Sequence, residues 1–333
     1  MTGIFKKLYQ DPLAKFSIWG LAILLVCAFT SPFWMSPTPY VVHYDGTYHL
    51  PMFQTTNPKD IGLDDPFVDY ADPKVRKHIE KSGWLIVPPF RFDTQTIDWS
   101  DSSALPAPPS WQHPLGTLED GRDTMAVLLA GVRVSVVFGL LLTVVSCLIG
   151  LVVGLVQGYY GGWVDLVGQR VLEVWSSIPV LYIMIIFASI AAQSIVALFF
   201  ILALFQWKGL VGVVRAETFR TRTQDYVLAA VMMGVSHATI IRRHVLPNST
   251  VAALSMIPFN LAMSITVLSS LNFLGVGLPP YQATLGAILA QAYRNLGATS
   301  LVVTSLVTMG GLLTMFVLVG TALRRVLDPR YDG

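Results

Sequence analysis

Charged residues are scarce in this sequence, and their scarcity decides its class. Asp, Glu, Lys and Arg make up only 13% of the 333 residues, against 53% hydrophobic residues, and the mean hydropathy is +0.60. A soluble globular domain carries about 25% charged residues. Five stretches contain none of the four, and each exceeds the roughly 20 apolar residues that cross a bilayer. They are Phe16–Tyr44, Val134–Val164, Val174–Trp207, Val245–Tyr293 and Asn295–Leu323. The sequence therefore predicts a polytopic membrane protein.

Several chemistries lack the residues that would carry them. The two cysteines, Cys27 and Cys147, lie in apolar runs and offer no disulfide framework. The sequence has no G-x-x-x-x-G-K-[ST] phosphate loop, no H-E-x-x-H zinc pair and no G-x-S-x-G nucleophile elbow. Acidic residues are essentially absent from the apolar runs, so a proton relay has no carriers. We expect a chain that is no enzyme, binds no metal or nucleic acid, and has no energy source of its own.

The apolar runs predict six transmembrane helices. The third and fourth share one run, with Gln193-Ser194 as the turn between them. The first is predicted to be an uncleaved anchor, because it ends without a small-x-small cleavage site. The predicted spans are about Phe16–Met35, Val134–Gln157, Leu172–Ala192, Ser194–Val214, Val251–Leu274 and Thr299–Ala322.

Basic residues orient these spans. The short segments on one side, with both termini, hold thirteen Lys and Arg against seven Asp and Glu, whereas segment 36–133 holds eight against thirteen. The basic side of a membrane protein faces the cytoplasm. We therefore expect both termini in the cytoplasm, a cytoplasmic N-terminus and first helix over 1–35, and a five-helix core over 134–333. Segment 36–133, rich in Pro, Asp and aromatic residues, is predicted to be an extracytoplasmic insert of mixed structure with one helix near Asp72–Trp84.

The cytoplasmic segment at about 215–248 contains a short helix. Asp225 stands near its start, where a carboxylate suits the helix dipole. Ala229 and Ala230 form a small-residue face, Gly234 is a natural helix end, and Pro247 predicts a break before the fifth span. Composition leaves two interpretations open: an ordinary basic loop at the membrane surface, or a rigid surface that receives force from a partner.

The spacing of this segment resembles the coupling loop of ABC importer permeases. The family pattern is Glu-Ala-Ala, three residues, Gly, nine residues, then Ile-x-Leu-Pro. Leu228 takes the Glu position and His244 the Ile position, followed by Val245-Leu246-Pro247. The resemblance implies contact with an ATPase, apolar at Leu228. The residues implicated are Asp225, Tyr226, Ala229, Ala230, Gly234, Val235, Ser236 and Pro247.

Other motifs follow the family order from about residue 113 to the C-terminus. The segment before the second span resembles the signature of dipeptide and oligopeptide permeases of the C type, through Gly116, Thr117, Gly121, Arg122 and Asp123. The long insert is similar to that of permeases grouped with microcin C uptake. Further matches are "GYYGGWVD" (158–165), "SIP" (177–179), "LNFLGVGLPP" (271–280) and "LRRVLDPR" (323–330).

The resemblance implies a type I ABC importer permease in the bacterial inner membrane. Its implied partners are a second homologous permease, two ATPase subunits that bind ATP and Mg²⁺, an extracytoplasmic solute-binding protein, membrane lipid and a peptide-like substrate. Polar residues of the fifth span either bond a neighbouring helix or face a passage. Those that could line a pore are Asn260, Ser264 and Asn272. A secondary transporter and a membrane-anchored sensor or scaffold, both without ATPase partners, are the alternatives.

Overall fold

The structure is a computed structural model that describes residues 11–63, 66–98, 105–190, 194–279 and 281–327. Within these residues, four helices are long and apolar enough to span a membrane. Two bent helix pairs raise the number to six if each pair is one span. The predicted all-α membrane architecture is confirmed. Parts of three sequence features lie outside the described residues. They are residues 1–10 of the N-terminal segment, Pro280 at the end of "LNFLGVGLPP", and residues 328–330 of "LRRVLDPR".

The elements are numbered in chain order. The helices before the third span are α1 (Pro12–Trp34), α2 (Pro73–Ser82), α3 (Thr124–Tyr160) and α4 (Gly162–Ser177). Those of the middle of the chain are α5 (Val180–Ile190), α6 (Ile195–Gln206), α7 (Lys208–Arg222), α8 (Asp225–Met232) and α9 (His237–Ile240). The last are α10 (Leu246–Ser255), α11 (Ile257–Phe273), α12 (Leu285–Arg294) and α13 (Thr299–Leu327). The strands are β1 (Val41–Tyr44), β2 (Thr47–His49) and β3 (Gly83–Ile86).

The predicted third span, Leu172–Ala192, is not one helix. It consists of the end of α4 and of α5, which meet at an angle of 52°. Pro179 lies at the break, and Ile178 before it is extended, with φ −75° and ψ 115°. A residue that precedes proline is pushed out of the helical region by the proline ring. Hydropathy alone does not report such a bend, so the prediction of one uninterrupted helix over this span was wrong.

The predicted break at Pro247 is also wrong. Residues His237–Ser255 run as one helical segment, and the bend of 47° comes at its end, before Ile257–Phe273. A π-helical turn, Ile241–Val245, precedes Pro247, and the Leu246 amide donates to the carbonyl of Ile241. This wide turn relieves the clash that a proline ring makes with the carbonyl four residues earlier. Pro247 is accommodated in the first turn of α10.

Helices extend beyond the predicted spans at most ends. Helix α3 starts at Thr124, and the fourth span continues through α7 to Arg222. A charge-free run marks the apolar part of a helix, whereas backbone hydrogen bonding continues through polar residues at the membrane surface. At the predicted turn between the third and fourth spans, Gln193 lies outside the described residues, and Ser194 is the N-cap of α6.

The described chain divides into two compact units. One comprises Met1–Ala22, Ser135–Pro280 and Met309–Gly333, and the other comprises Ile23–Val134 and Tyr281–Thr308. The second unit contains the insert, in which a three-stranded antiparallel sheet has the order β2-β1-β3. Helix α2 begins after the N-cap Asp72 and packs on this sheet, so the predicted mixed structure of the insert is confirmed. Its small core is formed by Val42, Ile61, Tyr70, Val75 and Ile79.

A ladder of glycines joins α3 to α7 in the first unit. Gly150, Gly154 and Gly158 recur every four residues along α3. A Cβ at each would lie 2.6–2.9 Å from a side-chain carbon of Leu210, Val214 or Thr218, respectively. It would also lie 2.8–2.9 Å from the backbone carbonyl oxygen of Trp207, the N-cap of α7, or of a residue within α7. The two helices therefore approach as closely as small residues allow.

Candidate coupling site

Helix α8 is eight residues long and has defined ends. It begins at Asp225, as predicted, and a carboxylate in the first turn is favourable for the helix dipole. Gly234 has φ +75°, a conformation that side chains other than glycine rarely adopt. The amides of Gly234 and Val235 donate to the carbonyls of Val231 (3.0 Å) and Ala230 (3.1 Å), which closes the helix. The predicted helix end at Gly234 is confirmed.

One face of α8 is fixed in a core shared by several helices. Val227 and Ala230 are 1% and 5% exposed, and they join a cluster that reaches three helices of the membrane core. Its other members are Leu155 and Tyr159 of α3, Leu210 and Val214 of α7, Ile240, Val245, and Ala253 of α10. Val227 and Ala230 therefore hold this face of α8 in one close-packed core with these helices.

The opposite face of α8 is apolar and exposed. Met232 is 90% exposed and Met233 74%, and the side chains of Tyr226, Leu228 and Val231 are about half exposed. Methionine-rich surfaces adapt to the shape of a partner. Contiguous exposed apolar residues mark interaction sites on soluble surfaces. The exposure of Leu228 agrees with the apolar contact expected at the family's acidic position.

The alanine pair does not form one exposed face. Ala229 is exposed, but Ala230 is buried against the helix cluster. Alanine fits either environment, so the sequence could not separate the two positions. Of the two alanines in the predicted small-residue face, only Ala229 is open to a partner in this structure, because the small side chain of Ala230 packs against helices of the same chain.

Polar contacts around the ends of α8 were not predicted. The Arg222 guanidinium donates to the carbonyl of Tyr159 at 2.7 Å, and the Tyr159 hydroxyl lies 2.8 Å from Nδ1 of His237. The amide of Asn248 donates to the Tyr226 hydroxyl at 3.2 Å. Ser236 caps α9 by accepting from the amide of Thr239. These bonds connect the segment to α3 and α10, and only the "GYYGGWVD" motif, which contains Tyr159, offered a signal for them.

The permease signature before α3 forms a tightly hydrogen-bonded turn region, called here the support, in the second unit. Gly116 and Gly121 both have positive φ, of +82° and +81°. Thr117 accepts a hydrogen bond from the Ala107 amide at 2.8 Å, and Asp123 accepts one from the Ala126 amide at 2.8 Å. Asp123 thereby holds the first turn of the second span, which is a structural use of this motif.

Arg122 and Glu119 tie this support to the segment around α12. The Arg122 guanidinium donates to Asp120 at 2.8 Å and to the carbonyls of Thr94 (3.3 Å) and Tyr281 (3.2 Å). Glu119 pairs with Arg294, and this hydrogen bond holds the pKa of the Glu119 carboxyl below its usual value.

The candidate pore residues have partners within the chain. Ser264 is completely buried, lies 3.3 Å from the Thr143 hydroxyl, and accepts from Gln206. The side-chain Oδ1 of Asn272 accepts from the Leu278 backbone amide at 2.6 Å and so caps a turn. Both positions serve packing in this conformation. Asn260 is half-buried, with its amide 3.7 Å from the Cys147 sulfur, and its place in a pore stays a prediction.

Comparisons with known proteins give the family. Residues 150–333 match the family described as "Binding-protein-dependent transport system inner membrane component". The chain is 42% identical over 316 residues to the inner membrane ABC transporter permease protein YejE of Escherichia coli, which covers 94% of this chain and 92% of that protein.

Two further relatives extend the similarity. The peptidoglycan transport system permease protein YejE of Agrobacterium fabrum is 38% identical over 338 residues, covering 94% of this chain and 89% of the relative. The oligopeptide transport system permease protein OppC of Haemophilus influenzae is 30% identical over 244 residues, covering 72% and 78%. The chain therefore belongs to the family of inner membrane components of binding-protein-dependent transport systems, and it is a multi-pass permease subunit of the ABC type.

Proposed function

We propose that this chain is one transmembrane subunit of an ATP-driven importer of peptides or peptide-like solutes, and that α8 receives the force of the ATPase. The proposal rests on the difference between the two faces of α8. Its exposed face is apolar, while Val227 and Ala230 anchor it in a core shared with α3, α7 and α10. The names of the relatives, which include oligopeptide and peptidoglycan transport systems, support a peptide-containing cargo.

The mechanism follows from this difference between the faces. A second, homologous permease completes the pore, and two ATPase subunits bind ATP and Mg²⁺ and hydrolyse ATP. When ATP closes the ATPase pair, α8 moves with the subunit on which it docks. The shared core passes this movement to α3 and α7, whose glycine ladder makes them move as one body. The pore then changes the side on which it is open, while this chain hydrolyses nothing.

The proposal includes the orientation of the chain. Both termini and α8 lie in the cytoplasm, because the basic residues gather in those segments. The insert between α1 and α3 then faces outward, where a solute-binding protein delivers the cargo near the insert and the α11–α13 connection. The family assignment favours this importer over a secondary transporter or an anchored scaffold.

The test exchanges Gly234 for residues that differ in charge. Asp and Asn are among the residues that best tolerate the positive φ of this position, and no atom of the described residues lies within 4 Å of an added Cβ. We expect Gly234→Asp to abolish ATP-dependent uptake of a labelled tripeptide, because it places a carboxylate in the docking surface. Gly234→Asn should retain a substantial part of uptake.

Two controls make the result specific. Immunoblots of membranes must show equal insertion of both variants. Gly162→Asp adds the same charge at an exposed glycine that also has a positive φ (+52°), with no atom of the described residues within 4 Å of an added Cβ, and it should transport normally. Uptake by Gly234→Asp at the wild-type rate would remove the docking role from α8. Absence of uptake by the wild-type chain for every peptide offered would refute the cargo instead.

A further inference from the structure

The insert contains a large cleft that no part of the transport mechanism uses. Its volume is about 1140 Å³, slightly above the roughly 300–1,000 Å³ that small-molecule pockets occupy. All of its lining residues belong to the described part of the insert, between Pro37 and Gln112. The walls combine proline and aromatic side chains with both acidic and basic ones, so the cleft suits a ligand that carries both charges and apolar groups.

Arg91 is a basic group of the cleft for which the described residues provide no hydrogen-bond or ion-pair partner. It is exposed and lines the cleft, and in the described part of the chain no hydrogen bond or ion pair reaches its guanidinium. The neighbouring Arg76 donates to the carbonyl of Tyr70 at 2.7 Å. Burial, and then the positive charge of Arg91, lower the pKa of Arg76 from its usual value. Two guanidinium groups that repel each other favour an anion between them, and a carboxylate matches their planar donors.

Asp93 is the acidic group whose orientation is fixed. Its Oδ1 accepts from the amides of Gln95 (2.8 Å) and Thr96 (2.7 Å) and from the Thr96 hydroxyl (2.8 Å). No hydrogen bond to Oδ2 occurs within the described residues. The carboxylate is therefore held in place with one oxygen open, which is the arrangement that an ammonium group can use without further ordering.

Aromatic side chains at the cleft are unusually exposed. Trp111 is fully exposed and Phe67 is 70% exposed, although such residues are normally buried to a large extent. Phe90 and Phe92 line the same cleft. Exposed aromatic rings beside fixed charges provide contact area for apolar side chains of a ligand.

We propose that this cleft binds a short peptide with free ends, its carboxylate at Arg91 beside Arg76 and its ammonium group at Asp93. The apolar side chains of the peptide pack on Trp111 and the phenylalanines. The inference rests on the proposed function, since it places a second site for a peptide cargo on the permease itself. A free peptide stem of the cell wall carries the same two end groups, whereas attachment to the sugar turns its N-terminus into an amide, so a disaccharide-linked peptide serves as a further probe.

The test measures binding to the full chain in lipid nanodiscs, which needs neither ATPase nor second permease. The probes are the tripeptide Ala-Leu-Phe, its C-terminal amide and its N-acetyl form. We expect removal of either charge from the probe to weaken binding about 10-fold. Arg91→Gln should weaken binding of the tripeptide by a similar factor and leave the affinity for the C-terminal amide unchanged.

Asp93→Asn gives the complementary result. This substitution removes the charge but retains an Oδ1 that can accept from Gln95 and Thr96. It should weaken binding of the tripeptide and leave the affinity for the N-acetyl form unchanged. Lys77→Gln, on an exposed part of α2 away from the cleft lining, is the matched control and should bind as the wild type does. Trp111→Ala, which removes a fully exposed side chain, should weaken all three probes without affecting folding.

Several results would overturn the inference. They are equal affinity for the tripeptide and its amide, an Arg91→Gln variant that binds normally, and no binding by the wild-type chain at millimolar peptide. Binding of a disaccharide-linked peptide in preference to the tripeptide would also overturn the inference, because such a peptide has no free N-terminal ammonium group for Asp93. Peptide uptake in cells with no binding in nanodiscs would refute the cleft alone, whereas binding without uptake would refute the proposed function alone.

Discussion

At the scale of single residues, His113 lies between two carboxylates in the second unit. Its Nδ1 is 2.8 Å from Asp123 Oδ2, and its Nε2 is 3.1 Å from Asp98 Oδ2. Burial opposes the charged imidazolium, but the hydrogen bonds to Asp123 and Asp98 outweigh it and raise the pKa of His113. Since Asp123 also holds the first turn of α3, protonated His113 stabilises the start of the second span.

The sign of this effect gives a prediction. A raised folded-state pKa adds stability that is full below the unfolded value of about 6.5 and is lost as pH rises through the folded value. We expect the melting temperature of the purified chain to fall between mildly acidic and mildly alkaline pH, and His113→Gln to flatten this fall. His49→Gln, at the end of the short strand β2, is the control and should keep the wild-type profile. Parallel profiles for wild type and His113→Gln would contradict the account.

At the scale of elements, α8 has one face buried in the helix core and one exposed apolar face. The sequence predicted where α8 begins and ends, since Asp225 and Gly234 have positional preferences that arise within the helix itself. It did not predict that Ala230 is buried, because burial depends on helices far away in the sequence. The bend at Pro179 and the continuous helix through Pro247 likewise depend on local backbone geometry that hydropathy does not contain.

The glycine ladder carries a prediction at this scale. Gly154→Ala adds a Cβ 2.8 Å from the Val214 Cβ and 2.9 Å from the Val211 carbonyl oxygen. Overpacking of this kind costs about 1–3 kcal/mol. We expect a lower melting temperature and reduced peptide uptake, because α3 and α7 separate beneath α8.

The control for the ladder lies on α7 itself. Gly212 has nothing within 4 Å of an added Cβ, and alanine is the better helix former by about 1 kcal/mol. Gly212→Ala should therefore raise or maintain the melting temperature and leave uptake unchanged. Equal behaviour of Gly154→Ala and Gly212→Ala would show that the close approach of α3 and α7 has no importance for stability.

At the scale of the whole molecule, charge-free runs predicted the membrane class, because the bilayer imposes a fixed apolar length. The predicted six spans agree with the described residues if each bent helix pair counts as one span. The sequence motifs, which occur in the same order as in the permease family, predicted the family. The sequence could not show that Ser264 and Asn272 bond within the chain, since their partners lie on other helices or in a following turn. The cleft of the insert also escaped prediction, because its lining residues are spread over about 75 positions of the chain.

The central claim is that α8 docks on an ATPase. We would place a photo-crosslinking residue at Met232, which is 90% exposed, and purify the tagged chain from gently solubilised membranes for mass spectrometry. The same residue at Trp111 in the insert is the control. The account predicts an ATPase subunit joined at position 232 and absent at position 111, with a second permease recovered in both samples. A chain that is recovered alone, or that is joined only to lipid at position 232, would contradict the account.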